Sequence, residues 1–148
     1  NIMIFNNGVG HPVERSSSVI EIRPPLDAFG RYSLKTGRRY EPDEPSWEYT
    51  APRSFFSDFI SGAHRLANGN TFICAGPQGR FFEVTANGDI VWEYVNPYSG
   101  DAPNPAGDPP YSVFRATHIS PDHPALTDRK LEPLNPQPPH QRSSGKRR

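Results

Sequence analysis

The residues whose types and spacing can do chemistry are histidines and arginines, and they fall into three groups. His64 and Arg65 are adjacent, Arg115 and His118 lie three apart, and His11 and Glu14 share a loop that follows Asn6-Asn7-Gly8. A neutral imidazole serves near pH 7 as base, donor or nucleophile. A guanidinium offers a planar fork of donors that fits sulfate or carboxylate oxygens. His64, Arg115 and His118 are therefore the candidates for catalysis, and Arg65 and His11 the candidates for substrate binding. Arg65 and Arg115, at corresponding places on successive inner strands, can together floor an anion site. A packing role competes for every one of them: a histidine bonded to a neighbouring strand, an arginine bonded to carbonyls or to acids such as Asp58, a surface histidine ahead of proline-rich coil.

Other chemistries find little support. The five histidines have no spacing that recommends zinc, and Cys74 has no second cysteine for a disulfide or a metal site. Asp101, Asn104 and Asp108 are separated by prolines and glycines that fit no calcium loop. The turn at residues 76–80 is too short to cradle a phosphate. No metal and no cofactor are expected. Lys+Arg and Asp+Glu are 16 each, so the net field points to no nucleic-acid partner. No apolar run approaches the roughly 20 residues of a membrane span. Lys146-Arg147-Arg148 reads as a solvated terminus, and His123 and His140 are assigned no role.

These side chains must be positioned by short strands, because 18 prolines among 148 residues leave no room for long helices. Four apolar segments dominate the middle: residues 60–66, 71–75, 80–85 and 90–95. Turns at 67–70, 76–79 and 86–89 separate them, two carrying Asn-Gly, which predicts type I′ hairpins with positive φ at both central residues. Strands rich in Phe, Val, Ile, Trp and Tyr at this spacing form a four-stranded antiparallel meander. His64 and Arg65, neighbours on the first strand, point to opposite faces, with His64 sharing its face with Ile60, Gly62 and Leu66.

The pattern occurs once before. Residues 1–5 match 70–74 at an offset of 69, residues 18–22 match 80–84 at 62, and Trp47-Glu48-Tyr49 matches Trp92-Glu93-Tyr94 at 45. The largest insertion, residues 23–45, is polar and bounded by prolines. A four-strand unit of about 45 residues has the period of a β-propeller blade, which stacks on neighbours around a channel. The expected fold is therefore all-β: a partial β-propeller over residues 1–120, with about two four-stranded antiparallel blades at 1–50 and 59–97, the first represented by its last three strands, and a further first strand at 111–117. Trp47 and Trp92 read as filler between blades. Residues 121–148 form an irregular proline-rich C-terminal tail, since eleven of the prolines lie between Pro97 and Pro139. Opening at Asn1 on a strand, without initiator methionine or leader, the chain reads as a fragment whose partners are the remaining blades of the same protein.

Residues 55–71, with Phe55-Phe56-Ser57-Asp58-Phe59 leading into Gly62-Ala63-His64-Arg65-Leu66-Ala67-Asn68-Gly69-Asn70-Thr71, carry a resemblance. So do Gly79-Arg80-Phe81-Phe82-Glu83-Val84-Thr85, Val91-Trp92-Glu93-Tyr94-Val95-Asn96-Pro97, and Val113-Phe114-Arg115-Ala116 followed by Asp122-His123-Pro124-Ala125-Leu126. Over about residues 1–126 the chain is similar to the arylsulfotransferase family of β-propellers, especially its broad bacterial branch. The resemblance implies a six-bladed ring, export to the periplasm or outside the cell, and transfer of a sulfuryl group between phenolic compounds through a histidine, with a phenolic sulfate or phenol as small-molecule partner. At position 64 the family more often carries glutamine than histidine, and its nucleophilic histidine matches no motif here. The alternative expectation is a non-catalytic propeller that binds a ligand or protein.

Overall fold

The computed structural model describes residues 1–10, 15–32, 34–35, 39–98 and 111–132. His11, Glu14, the Asp101–Asn104–Asp108 group and the tail beyond residue 132 lie outside the described residues.

Among the described residues nine strands follow one another: β1 Ile2–Asn6, β2 Ser18–Ile22, β3 Leu34–Lys35, β4 Arg39–Tyr40, β5 Trp47–Thr50, β6 Gly62–Arg65, β7 Thr71–Ala75, β8 Arg80–Val84 and β9 Ile90–Val95. They make a three-stranded sheet in the order β1-β2-β5, a four-stranded sheet in the order β6-β7-β8-β9, and a two-stranded hairpin β3-β4 within the insertion. Every pairing is antiparallel. Among the described residues the only helical segments are single 3-10 turns at Gly76–Gln78 and Pro124–Leu126, and neither sheet closes on itself.

The sequence repeat is a repeat of pairing. Ile2 faces Ile22 as Thr71 faces Val84, and Glu21 faces Trp47 as Glu83 faces Trp92. Matching registers place matching residues on matching faces, because a one-residue slip would invert every side chain. One polar contact repeats as well: Asn1 donates to Glu21, and Asn70, its counterpart, donates to Glu83 at 2.6 Å.

Three local expectations are corrected. The Asn-Gly hairpins are not type I′, because only the glycines, Gly69 at φ 88° and Gly88 at φ 89°, have positive φ. Gly69 N–H donates to Leu66 O and Leu66 N–H to Asn70 O, and Gly88, Thr85 and Asp89 repeat this arrangement. A type I turn closed by a left-handed glycine makes the three-residue loop with a bulge, so one residue is gained and one asparagine stays in ordinary space. Second, the strand expected from Ile60 begins at Gly62, because Ile60 (φ 46°) and Ser61 (φ 91°) are left-handed and cannot extend a strand. Third, residues 111–117 form no strand. Their described backbone bonds run from Val113 N–H to Gly76 O and from Ser61 N–H to Phe114 O, and among the described residues these make no ladder.

The core lies between the two larger sheets. Val19 and Tyr49, with Met3 and Phe5 beside them, meet Ile73, Ala75, Phe82 and Val84 of the second sheet. Phe55, on the connection between β5 and β6, plugs the middle. Its ring stands 5.6 Å from Phe5, 5.6 Å from Tyr49 and 5.5 Å from Phe82. Buried polar groups hold this connection in place: Ser17 N–H donates to Phe55 O, Ser57 N–H to Ser17 Oγ, and Asn7 Nδ2 to the carbonyls of Ser57 and Ile60. Each is satisfied, as burial of polar groups requires. The same connection delivers the chain into β6, where the candidate site begins.

Candidate functional site

Alternation along β6 divides its four residues. Ala63 and Arg65 face the first sheet: Ala63 packs on the core, and Arg65 pairs with Glu21 across the inter-sheet gap. Gly62 and His64 face the opposite way, onto a side of the second sheet that also carries Phe72, Phe81, Trp92 and Tyr94.

On that side the structure brings three of the expected residues together. The His64 ring stands 5.2 Å from Phe72, and His118 stands 6.0 Å from the same phenylalanine. Arg115 Nε lies 3.9 Å from where a Cβ on Gly62 would be, which brings the guanidinium against this strand. Between β6 and residues 115–117 opens a cleft of about 310 Å³ lined by Gly62, Ala63, His64, Arg115, Ala116 and Thr117. His64 Nε2 is buried and has no hydrogen-bond partner among the described residues. An unsatisfied buried nitrogen costs about 1–3 kcal/mol and calls for a partner that the described residues do not supply.

Burial lowers the His64 pKa from its ordinary value, with His118 and Arg115 adding repulsion against the charged form. The imidazole is thereby kept neutral near pH 7, able to accept or relay a proton. The linkage has a definite sign. The unfolded chain takes up this proton at a higher pH than the folded one, so stability falls as pH drops below the ordinary histidine value. The thermal midpoint is expected to decline between about pH 7.5 and about pH 5.5, and His64→Gln to flatten that decline. Parallel melting curves for the two proteins would contradict this. The carboxylates act lower down. Glu21 is held below its ordinary pKa first by Arg65 and then by Asn1, and Glu83 first by Asn70 and then by Asn68. Their stabilisation is present above the ordinary glutamate value and is lost as pH falls through the depressed one.

Arg65 does not join the cleft, and the floor expected from Arg65 with Arg115 does not form, because the two side chains serve opposite faces of β6. Arg65 donates to Glu21, to Thr71 Oγ1 at 2.6 Å and to Gly69 O at 3.2 Å, and lies 4.5 Å over the Trp47 ring. Trp47 Nε1 in turn donates to Ala86 O at 2.8 Å. This clamp between the sheets is what inspection of charged residues alone misses. The repeat carries its signal, since Glu21 and Glu83 occupy the same place in the two units. Glu21 is only 13% exposed and Arg65 29%, so the pair is better shielded than a surface bridge. Arg65→Ala takes from Glu21 its charged partner, leaving the Asn1 donor, and uncovers Trp47, and is expected to cost about 2 kcal/mol in denaturant unfolding. A loss under about 0.5 kcal/mol would place it with ordinary surface pairs.

His123 caps the turn at Pro124–Leu126, its Nδ1 accepting from Ala125 N–H at 3.1 Å. Cys74 is buried, with its thiol pKa pushed up to about 11, which keeps it protonated and unreactive. Among the described residues, no three His, Cys, Asp or Glu side chains converge on a metal position, and no helix is long and apolar enough to cross a membrane.

The fold and site together define an all-β chain of two stacked, register-matched antiparallel sheets with a histidine–arginine cleft on the far side of the second. No family model, curated protein or solved structure matches it.

Proposed function

We propose that the chain contributes to a sulfuryl-transfer site of a β-propeller similar to the arylsulfotransferases, moving a sulfuryl group from one phenol to another. The observation that carries this reading is the unpartnered Nε2 of His64, buried in a cleft that Arg115 also lines. A sulfate ester brings anionic oxygens, which suit the guanidinium fork of Arg115, a side chain without a carboxylate partner among the described residues. A neutral His64 is the base for the acceptor. It takes the phenolic proton as the new S–O bond forms, while the old S–O bond breaks with its electron pair on the leaving phenolate. The proton then returns to that phenolate, and no redox partner is needed. His118 is a second imidazole on the same side of the sheet, its ring 6.0 Å from Phe72.

A second reading, a binding module without turnover, is favoured by one observation. Trp92, half exposed, lies parallel to a half-buried Tyr94, an arrangement suited to holding a flat ligand or a partner surface. Incubation with p-nitrophenyl sulfate and a phenol separates the two. Nitrophenolate release with a sulfated acceptor supports transfer. Saturable binding of the sulfate ester without release supports the module and removes the enzyme.

A further inference from the structure

The cleft beside β6 gathers positive charge with little to offset it. Arg115 brings its guanidinium against Gly62, and His64 and His118 flank Phe72 with ring centroids 5.2 and 6.0 Å away. Pairing across the second sheet sets His64, Phe72, Glu83 and Trp92 in one row, so Glu83 is the carboxylate of that row. It is already engaged, one oxygen accepting from Asn70 at 2.6 Å and from Asn68 at 3.0 Å, and His118 is the cation that acts on it. The neighbouring charges are committed elsewhere. Arg65 is held by Glu21 on the opposite face, and Arg80 pairs with Glu93 at 2.7 Å. Among the described residues Arg115 therefore has no counter-charge, and the charged groups that act on His64 are His118 and Arg115, both set against its protonation.

The cleft lacks acceptors as well as negative charge. His64 Nε2 is buried and without a partner among the described residues. In the neutral ring this nitrogen can stand as the bare acceptor, but in the imidazolium both ring nitrogens must donate. The Arg115 fork across the cleft needs acceptor oxygens too. A tetrahedral oxyanion supplies several such oxygens and a compensating charge together. The volume of about 310 Å³ leaves room for it, and Gly62, Ala63 and Ala116 keep the walls free of bulk. Two negative charges seated on Arg115 would reverse the local balance, offsetting the repulsion that Arg115 and His118 exert on a charged His64.

We propose that this cleft binds a doubly charged inorganic oxyanion and a proton together, Arg115 holding the oxyanion and His64 receiving the proton from solvent. The coupling is reciprocal: the anion raises the affinity of His64 for the proton by the factor by which the proton raises the affinity for the anion. The binding itself requires no turnover. Its consequence for turnover rests on the transfer reading above. With the anion seated, His64 is an imidazolium and has no lone pair to take a phenolic proton. Inorganic sulfate is then an inhibitor that strengthens as pH falls.

Calorimetric titration of the full chain with sodium sulfate, at an ionic strength fixed with sodium chloride, tests the coupling. Binding is expected to be at least about fivefold tighter at about pH 5.5 than at about pH 7.5. Near pH 6.5, two buffers of different ionisation enthalpy are expected to reveal net proton uptake. No saturable binding, or binding without uptake, would overturn the proposal. Arg115→Ala is expected to weaken sulfate by about tenfold or more, and an unchanged affinity would overturn the seat of the anion. His64→Gln is expected to keep the anion on Arg115 while losing both the uptake and the pH dependence. Uptake that survives His64→Gln and disappears in His118→Gln would overturn the assignment of the proton to His64. Melting curves read the same coupling without any substitution. Sulfate stabilises proteins generally by exclusion from their surface, which shifts the whole curve. Here it is also expected, relative to chloride, to flatten the fall in thermal midpoint between about pH 7.5 and about pH 5.5, because the folded chain then binds the proton as readily as the unfolded one. Each of these measurements reads binding or melting, so a missing sulfuryl transfer and a missing coupling are separate results. Equal pH slopes in the two salts would overturn the coupling.

Discussion

Phe82→Ala is expected to cost about 3–5 kcal/mol, the range for emptying a large aromatic site in a packed core. Phe82 is fully buried, and its ring meets Phe55 edge-on at 5.5 Å and Tyr49 at 5.8 Å. The collapse that usually softens such a loss is obstructed here. Phe55 is held by its backbone bonds to Ala51 and Ser17, and Tyr49 belongs to a paired strand, so neither can slide into the void. Typical domains have only 5–15 kcal/mol in total, so the substitution removes a sizeable share of what keeps the sheets together. The measurement is the shift in urea midpoint at unchanged slope. A loss below about 1 kcal/mol would mean that the sheets do not depend on this contact.

His64→Ala is expected to lower sulfuryl transfer by about 10²–10⁴-fold, the usual effect of deleting a general base. The same change relieves the chain of an unsatisfied buried nitrogen, so stability is expected to hold or rise slightly. That opposition of signs separates a catalytic histidine from one retained for packing. His64→Gln sharpens the comparison, since a glutamine keeps polar atoms at this position without a titratable ring. If transfer survives both substitutions within a factor of three, His64 is not the base, and the cleft loses its claim to the chemistry. Arg115→Lys tests the other wall: an ammonium retains the charge without the planar fork, so a rise in KM with little change in kcat is expected if Arg115 holds the sulfuryl oxygens.

Most of the sheet architecture was legible in the sequence because it is written in local signals. Residues 71–75 and 80–84 were bounded by turn residues, and their offsets from residues 1–22 fixed both the strands and their partners. The turn class was not legible, because Asn-Gly suits both a two-residue hairpin and a three-residue loop, and the choice is made by the backbone bonds of Leu66 and Thr85. The start of β6 was hidden for a related reason. Ile60 is a strong strand former by type, yet Asn7, Ser57 and Gly76 bind the carbonyl of Ile60 and the hydroxyl of Ser61 in a conformation that strand propensity disfavours. For the site, alternation along β6 was enough to send His64 and Arg65 to opposite faces. It could not show that Arg115 and His118 return to His64, because the first strand expected over residues 111–117 is an irregular segment. Nor could it reveal that Arg65 is occupied by Glu21, because the two are 44 residues apart and meet only when the sheets stack.

The two three-residue loops have a chemical consequence as well. Asn68 and Asn87 each precede a glycine, the sequence most prone to deamidation, in which the glycine nitrogen attacks the asparagine side chain and expels ammonia. In these loops that nitrogen is tied up, the Gly69 N–H on Leu66 O and the Gly88 N–H on Thr85 O. Asn68 Oδ1 also accepts from Asn70 N–H, and its Nδ2 donates to Glu83. Folding thus shields both sites from their own reactive neighbour. The two asparagines keep a slow record of how long the hairpins have spent open, one that grows with storage and can be read as isoaspartate long after the chain has refolded.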